Sequence, residues 1–156
     1  MATEYELIKG KGGRVIVVLH PACTIGRDEI LALLQEMGID PAKVTFAEPE
    51  NISKCGEVDG TPVIIPVDDE RCGDPELELV ARQCGTGGGK VVVLFGPDCT
   101  YEGLHPIADK HGTQCDWSAD RLKGCIVGGA DSPRSPAGAP IEWSEGQQVK
   151  CGGRKR

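Results

Sequence analysis

No apolar run in this 156-residue chain approaches the about 20 residues needed to cross a bilayer, which speaks against a membrane protein. The opening stretch, MATEYELIKGKGGR, lacks an apolar signal-peptide core, so a cytoplasmic chain is expected. Positive charge is also short. Seventeen Lys and Arg face 24 Asp and Glu, a net charge of −7. Such a surface repels phosphate backbones, and nucleic-acid binding is not expected. The one basic cluster is Arg154-Lys155-Arg156, with Lys150 close by. It reads as a solvated tail or as a contact for an acidic partner. There is no Cys-x-x-Cys, which removes the dithiol redox motif and the usual zinc pairing. Gly-x-Ser-x-Gly and His-Glu-x-x-His are also missing.

What is present suits one domain over residues 1–156. Hydrophobic residues make up 39% of the chain, enough for a core. The 22 Gly and 11 Pro make it loop-rich without reaching low complexity. Eight cysteines are too few for a disulfide scaffold, so reduced thiols are the default.

Hydrophobic periodicity alternates between strand and helix. The strands are expected at Arg14 to Leu19, Val44 to Ala47, Pro62 to Val67, Lys90 to Phe95, Thr113 to Trp117 and Cys125 to Val127. Pro66 suggests an end or bulge in the third. A helix is expected through Ile30, Leu31, Leu33, Leu34 and Met37, capped by Thr24 or Gly26 and stopped by Gly38. Another starts at Asp74-Pro75-Glu76, buries Leu77, Val80, Ala81 and Cys84, and ends at Gly85. Short helical turns fit Pro49 to Lys54 and Pro106 to His111, and Ser118 can cap another. Apolar strands alternating with helices predict a three-layer α/β fold, a mainly parallel sheet flanked by helices. Beyond Val127 the text is turn-forming, and 129–156 reads as an irregular extension.

Two strands are followed by matching loops, VIVVLHPACTIG from Val15 and VVVLFGPDCTYEG from Val91. Each carries Pro-x-Cys-Thr, at Pro21 to Thr24 and at Pro97 to Thr100. The pattern admits a duplicated β-α-β-α-β unit over about 14–67 and 90–128, with six strands in all. Ligands of open α/β sheets bind beyond the carboxyl ends of the strands, where both loops fall.

Cys23 and Cys99 are the catalytic candidates, if thiol chemistry occurs. A helix N-terminus beside each would favour a thiolate. His20, three residues before Cys23, can serve as its base if the loop turns back. The plainer reading is two strand-end cysteines with Thr24 and Thr100 as caps. For ligand binding the candidates are His20, Thr24, Arg27, Thr61, Pro62, Asp98 and Thr100. Residues 14–67, a third of the chain, resemble the thioredoxin-like superfamily, in particular glutaredoxins and arsenate-reductase-like proteins. The resemblance rests on a strand, then His-Pro-Ala-Cys-Thr-Ile-Gly, an amphipathic helix, and Gly60-Thr61-Pro62-Val63 opening a later strand. It implies Cys23 as nucleophile and Pro62 as the cis-proline packed beside it. Gly26 stands where a dithiol member has its second Cys, so only monothiol chemistry is implied.

Cys-Gly recurs at Cys55, Cys72, Cys84 and Cys151. Such turns can expose amides to a metal-bound sulfur, and the four could hold zinc or an iron–sulfur cluster, although their spacing matches no usual pairing. No cofactor is otherwise expected. Cys115 and Arg121 have phosphatase-loop spacing, but Asp116 and Asp120 would repel phosphate. Gly85 to Lys90 follows a helix and opens a strand, the reverse of a phosphate-binding loop, and reads as a connector. The acids Asp68, Asp69, Glu70, Asp74, Glu76 and Glu78 either solvate a loop and helix start or attract divalent cations. His105, His111 and Asp109 are too loosely spaced for a metal site. Trp117 and Trp143 fit core or interface. Three functions follow in order. The first is a binding module for a small anionic ligand or a protein partner. The second is a monothiol redox or thiol-transfer protein using Cys23, and the third is a metal-stabilised interaction domain.

Overall fold

The computed structural model describes residues 14–55, 58–71, 73–100, 105, 107, 110 and 112–126. Five strands form one wholly parallel sheet: β1 (Val15–Val18), β2 (Val44–Ala47), β3 (Pro62–Val67), β4 (Lys90–Phe95) and β5 (Gly112–Cys115). Their order is β2-β1-β3-β4-β5. Among the helices that accompany them are α1 (Arg27–Glu36), α2 (Pro75–Thr86) and α3 (Ala119–Gly124).

The layering follows from handedness. Parallel strands joined by right-handed crossovers place the helix on a face set by the direction of travel. The chain steps outward from β1 to β2, then returns past β1 to β3 and runs on to β4 and β5. Accordingly α1 covers one face, where Ile30, Leu33 and Leu34 pack with Val15, Val17, Ile64, Val92 and Leu94. On the other face Leu77, Val80, Ala81 and Cys84 of α2 pack with Ile16, Val63, Ile65, Val93 and Phe95. The alternation of side chains along each strand serves both layers, which is why these strands read as apolar throughout. This is the expected three-layer α/β architecture.

Several local expectations hold. Asp74 caps α2, its carboxylate accepting the Glu76 N–H at 2.9 Å, and Pro75 opens the helix. Gly26 is the N-cap of α1, and Glu29 accepts the Gly26 N–H at 3.0 Å. Others need correction. α2 continues through Gly85 to Thr86. β3 does not stop at Pro66. Its ladder with β4 runs through Val67, while its pairing with β1 has already ended at Ile64, so the missing proline N–H interrupts no bond on that side. The turn after β2 extends as a 3-10 helix over Pro49–Cys55. The strand expected at Thr113 to Trp117 is β5, Gly112–Cys115, shifted one residue earlier and ending sooner. Gly112 is required there, because a Cβ would run into the Val91 carbonyl oxygen of β4.

The duplicated six-strand arrangement is not what the described residues form. Cys125 and Ile126 continue the helical path of α3. The reason is packing: Leu122 and Ile126 lie four apart and bury one helical stripe against the α1 face. The expected extension 129–156, with Trp143, Lys150, Cys151 and Arg154 to Arg156, lies outside the described residues. No helix among the described residues is long and apolar enough to cross a membrane.

Candidate functional site at the strand ends

The direction of winding reverses between β1 and β3. In a doubly wound sheet that reversal opens a crevice beyond the carboxyl ends of the strands. Three loops meet there. The first follows β1 through His20 to Gly26. The second follows β3 through Asp68 to Asp74, and the third follows β4 through Gly96 to Thr100.

Two adjacent aspartates at the end of β3 hold the two outer loops. Asp68 Oδ2 accepts the Thr24 N–H at 2.8 Å, and Asp68 Oδ1 accepts the Arg71 N–H at 2.8 Å. Asp69 Oδ1 accepts the Thr100 N–H at 2.7 Å, and Asp69 Oδ2 accepts the Thr100 hydroxyl at 2.7 Å. The Cys99 thiol donates to Asp69 Oδ1 at 3.2 Å. Because β3 lies between β1 and β4, and successive side chains of an extended chain diverge, one aspartate serves each Pro-x-Cys-Thr loop. The two matching loops are therefore placed symmetrically about Asp68-Asp69, although the halves of the chain are not.

These bonds set the charges. Burial raises the Asp68 pKa, but the Thr24 and Arg71 N–H groups, the Thr24 hydroxyl and the Arg71 charge outweigh it and hold the carboxyl below its ordinary range. Asp69 is lowered by the Thr100 N–H, the Thr100 hydroxyl and the Cys99 thiol. The Cys23 thiol moves the other way. Half-buried, it is raised first by desolvation and further by the Asp68 charge and its hydrogen bond to that carboxylate, against the lowering pull of the Ile25 N–H and Arg71. Cys23 therefore stays a protonated donor, and the helix N-terminus does not make it a thiolate.

A cavity of about 230 Å³ sits between the three loops. Its lining includes the acidic residues Glu29, Asp68, Asp69, Glu70 and Asp98, with Thr24, Ile25 and Cys99, and no basic residue among the described residues. Sites for drug-sized ligands run to about 300–1,000 Å³, so this space suits a small group and not a nucleotide. Its charge repels an anion.

Beside it, His20 joins the β1 and β3 loops. Its Nε2 lies 3.3 Å from Asp74 Oδ2 and 3.7 Å from Glu76 Oε1. Its Nδ1 accepts the Ala22 N–H at 3.0 Å and lies 3.4 Å from Arg71 Nη1. His20, Asp74 and Glu76 present ligand atoms within 4.8 Å of one another, a spacing open to a cation. The hydrogen bonds assign the tautomer. With Nδ1 as acceptor, the proton of the neutral ring sits on Nε2, and that nitrogen has no lone pair for a metal. The ring is instead a tether between loops, and no bond joins it to the Cys23 thiol as a base would require.

The remaining candidates separate. Arg27 lies over the Phe46 ring at 4.9 Å from its centroid and borders a second cavity of about 230 Å³ that includes His20 and Cys23. Asp98 and Thr100 belong to the crevice. Thr61 and Pro62 do not. Thr61 is fully buried and Pro62 is buried, both at the amino end of β3, where Val63 is level with Ile16, so they lie at the opposite end of the sheet from Cys23. The Thr61–Pro62 bond is trans. Of the four Cys-Gly positions, Cys84 lies within α2 with its side chain in the apolar layer, not on a turn. Cys55 ends a 3-10 helix, and Cys72 and Cys151 lie outside the described residues. Arg121 is occupied by Asp116, with Nε at 2.7 Å and Nη2 at 2.6 Å from its two oxygens, so it offers no phosphate site. The sequence puts Asp68 and Asp69 in an acidic group that either solvates a loop and helix start or attracts divalent cations, and it does not single out Ile25 and Glu29 as site residues. The available signal was an Asp pair placed directly after the buried run PVIIPV.

Comparison with known proteins gave no match among family models, curated proteins or solved structures.

Proposed function

We propose that this chain is a small α/β binding module whose strand-end crevice takes a compact cationic group, an ammonium or guanidinium, carried by a small ligand or a basic segment of a protein partner. The observation that carries this reading is the cavity lined by five acidic residues at the winding reversal, with the carboxyls of two of them held below their ordinary range by loop amides. The excess of acidic residues works in the same direction by drawing cations to the surface. The reading keeps a protein partner and replaces the anionic ligand expected from sequence. Thiol transfer by Cys23 ranks behind it, because burial and Asp68 keep that thiol protonated.

The test is a titration of isotopically labelled protein, followed by NMR, with agmatine and separately with inorganic phosphate. Agmatine is expected to shift the amides of Ile25, Gly96 and Asp98, and Asp98→Asn is expected to weaken that response. Phosphate acting on these amides while agmatine does not would overturn the reading, as would silence with both.

A further inference from the structure

A second pair of cysteines meets away from the crevice, at the β5 edge of the sheet. Cys115 ends β5 and has no exposed surface. Cys125 caps α3 in helical conformation and is half-buried. Both lie in the apolar layer with Leu122 and Ile126, and their side chains are hydrogen-bonding neighbours. The Cys115 thiol also donates to the Asp116 carbonyl oxygen at 3.1 Å. The connection between them is pinned. Arg121 grips Asp116 through two bonds, and Ser118 Oγ accepts the Arg121 N–H at 3.3 Å. Strand end, turn and helix thus present two thiols to each other on a braced frame.

We infer that Cys115 and Cys125 are a modification site, a thiol pair that closes into an intramolecular disulfide on meeting a low-molecular-weight disulfide such as oxidised glutathione. The half-exposed Cys125 reacts first. Its thiol releases a proton and attacks one sulfur of the small disulfide, forming a mixed disulfide and expelling one thiolate. The neighbouring Cys125 thiol, burial and the Asp116 charge hold the Cys115 thiol well above its ordinary range, so this second step is the slow one. Once the mixed disulfide has removed the Cys125 thiol, Cys115 gives its proton to hydroxide and attacks the Cys125 sulfur, expelling the second thiolate. The two cysteines lose two electrons, the small disulfide gains them, and the two released protons convert its thiolates to thiols. The second step is intramolecular between side chains packed in one apolar layer, which gives it a high effective concentration. Cys23, Cys84 and Cys99 sit in other settings. Cys23 and Cys99 are hydrogen-bonded to different aspartates, and Cys84 packs on the opposite face of the sheet. The bridge ties the end of α3 to β5.

The full chain would be equilibrated with mixtures of oxidised and reduced glutathione, quenched in acid, alkylated and mapped by peptide mass spectrometry. The expected product is a peptide joined through Cys115 and Cys125, with loss of both thiols together and recovery on adding dithiothreitol. Cys125→Ser is expected to abolish the product, and Cys115→Ser to leave Cys125 trapped as the glutathione mixed disulfide. A wild-type chain that accumulates glutathione on Cys125 without closing, joins either cysteine to a different one, or leaves both reduced under the most oxidising mixture overturns the inference. The wild-type result decides the matter even where a variant fails to fold.

Discussion

Replacing Asp68 by Asn tests the clamp that builds the crevice. The carboxylate presents two acceptor oxygens, one to the Thr24 N–H and one to the Arg71 N–H. An amide has one acceptor, so one backbone N–H must face an NH₂ donor and lose its partner. An orphaned donor costs about 1–3 kcal/mol, and the partial exposure of this site points to the lower part of that range, about 1–2 kcal/mol. With a urea slope of about 2 kcal/mol/M, the midpoint falls by about 0.5–1 M. The substitution also removes a pH dependence. A carboxyl whose folded pKa is depressed stabilises the fold above its unfolded value, about 3.9, and that stability disappears as pH falls through the lower folded value. Wild type therefore loses stability on acidification below about pH 4 more steeply than Asp68→Asn. Urea titrations at neutral pH and across the acid range measure both effects. An unchanged midpoint, together with an unchanged acid profile, would refute the clamp.

Three further outcomes follow from the same geometry. Cys23 should react with iodoacetamide more slowly than an unhindered thiol, with its rate rising only above the ordinary thiol range of about pH 8.5, and rapid labelling in mild acid would contradict its placement beside Asp68. His20 should show the Nε2–H tautomer in long-range nitrogen–proton NMR spectra at neutral pH, and added zinc should leave its ring signals unmoved; a zinc-induced shift there would show that the Ala22 bond yields to a metal. Gly112→Ala should cost about 1–3 kcal/mol, because the new methyl collides with the Val91 carbonyl in the β4–β5 ladder, and a melting temperature equal to wild type would contradict that packing.

Residues that act through local chemistry are legible in the sequence alone. The run KVVVLF is β-branched and apolar on both sides, so it could only be a strand covered on both faces, as β4 is. Asp74-Pro75 supplies a capping oxygen and a preset backbone angle, and α2 starts there. Leu77, Val80, Ala81 and Cys84 share one face by spacing alone. The stretch at Cys125 reads as a strand in the sequence because a short apolar run suits a strand as well as a helix. Only the surface it covers decides, and Leu122 with Ile126 supplies a helical stripe.

The site was half legible for a related reason. The Pro-x-Cys-Thr loops after two strands placed Thr24, Cys99 and Thr100 at the strand ends, because a parallel sheet gathers those ends on one side. Their use of Asp68 and Asp69 could not be read from the chain, since it depends on β3 lying between β1 and β4. The same holds for Thr61 and Pro62: the thioredoxin-like resemblance implies Pro62 packed beside Cys23, and the parallel register puts both residues at the other end of the sheet. Sequence by itself determined most of the elements and the three-layer class, because helix and strand periods and caps act over a few residues. Tertiary structure alone decided the strand order, the sign of the crevice and the meeting of Cys115 with Cys125, because each requires groups distant along the chain, or separated by a turn, to be brought into contact by packing.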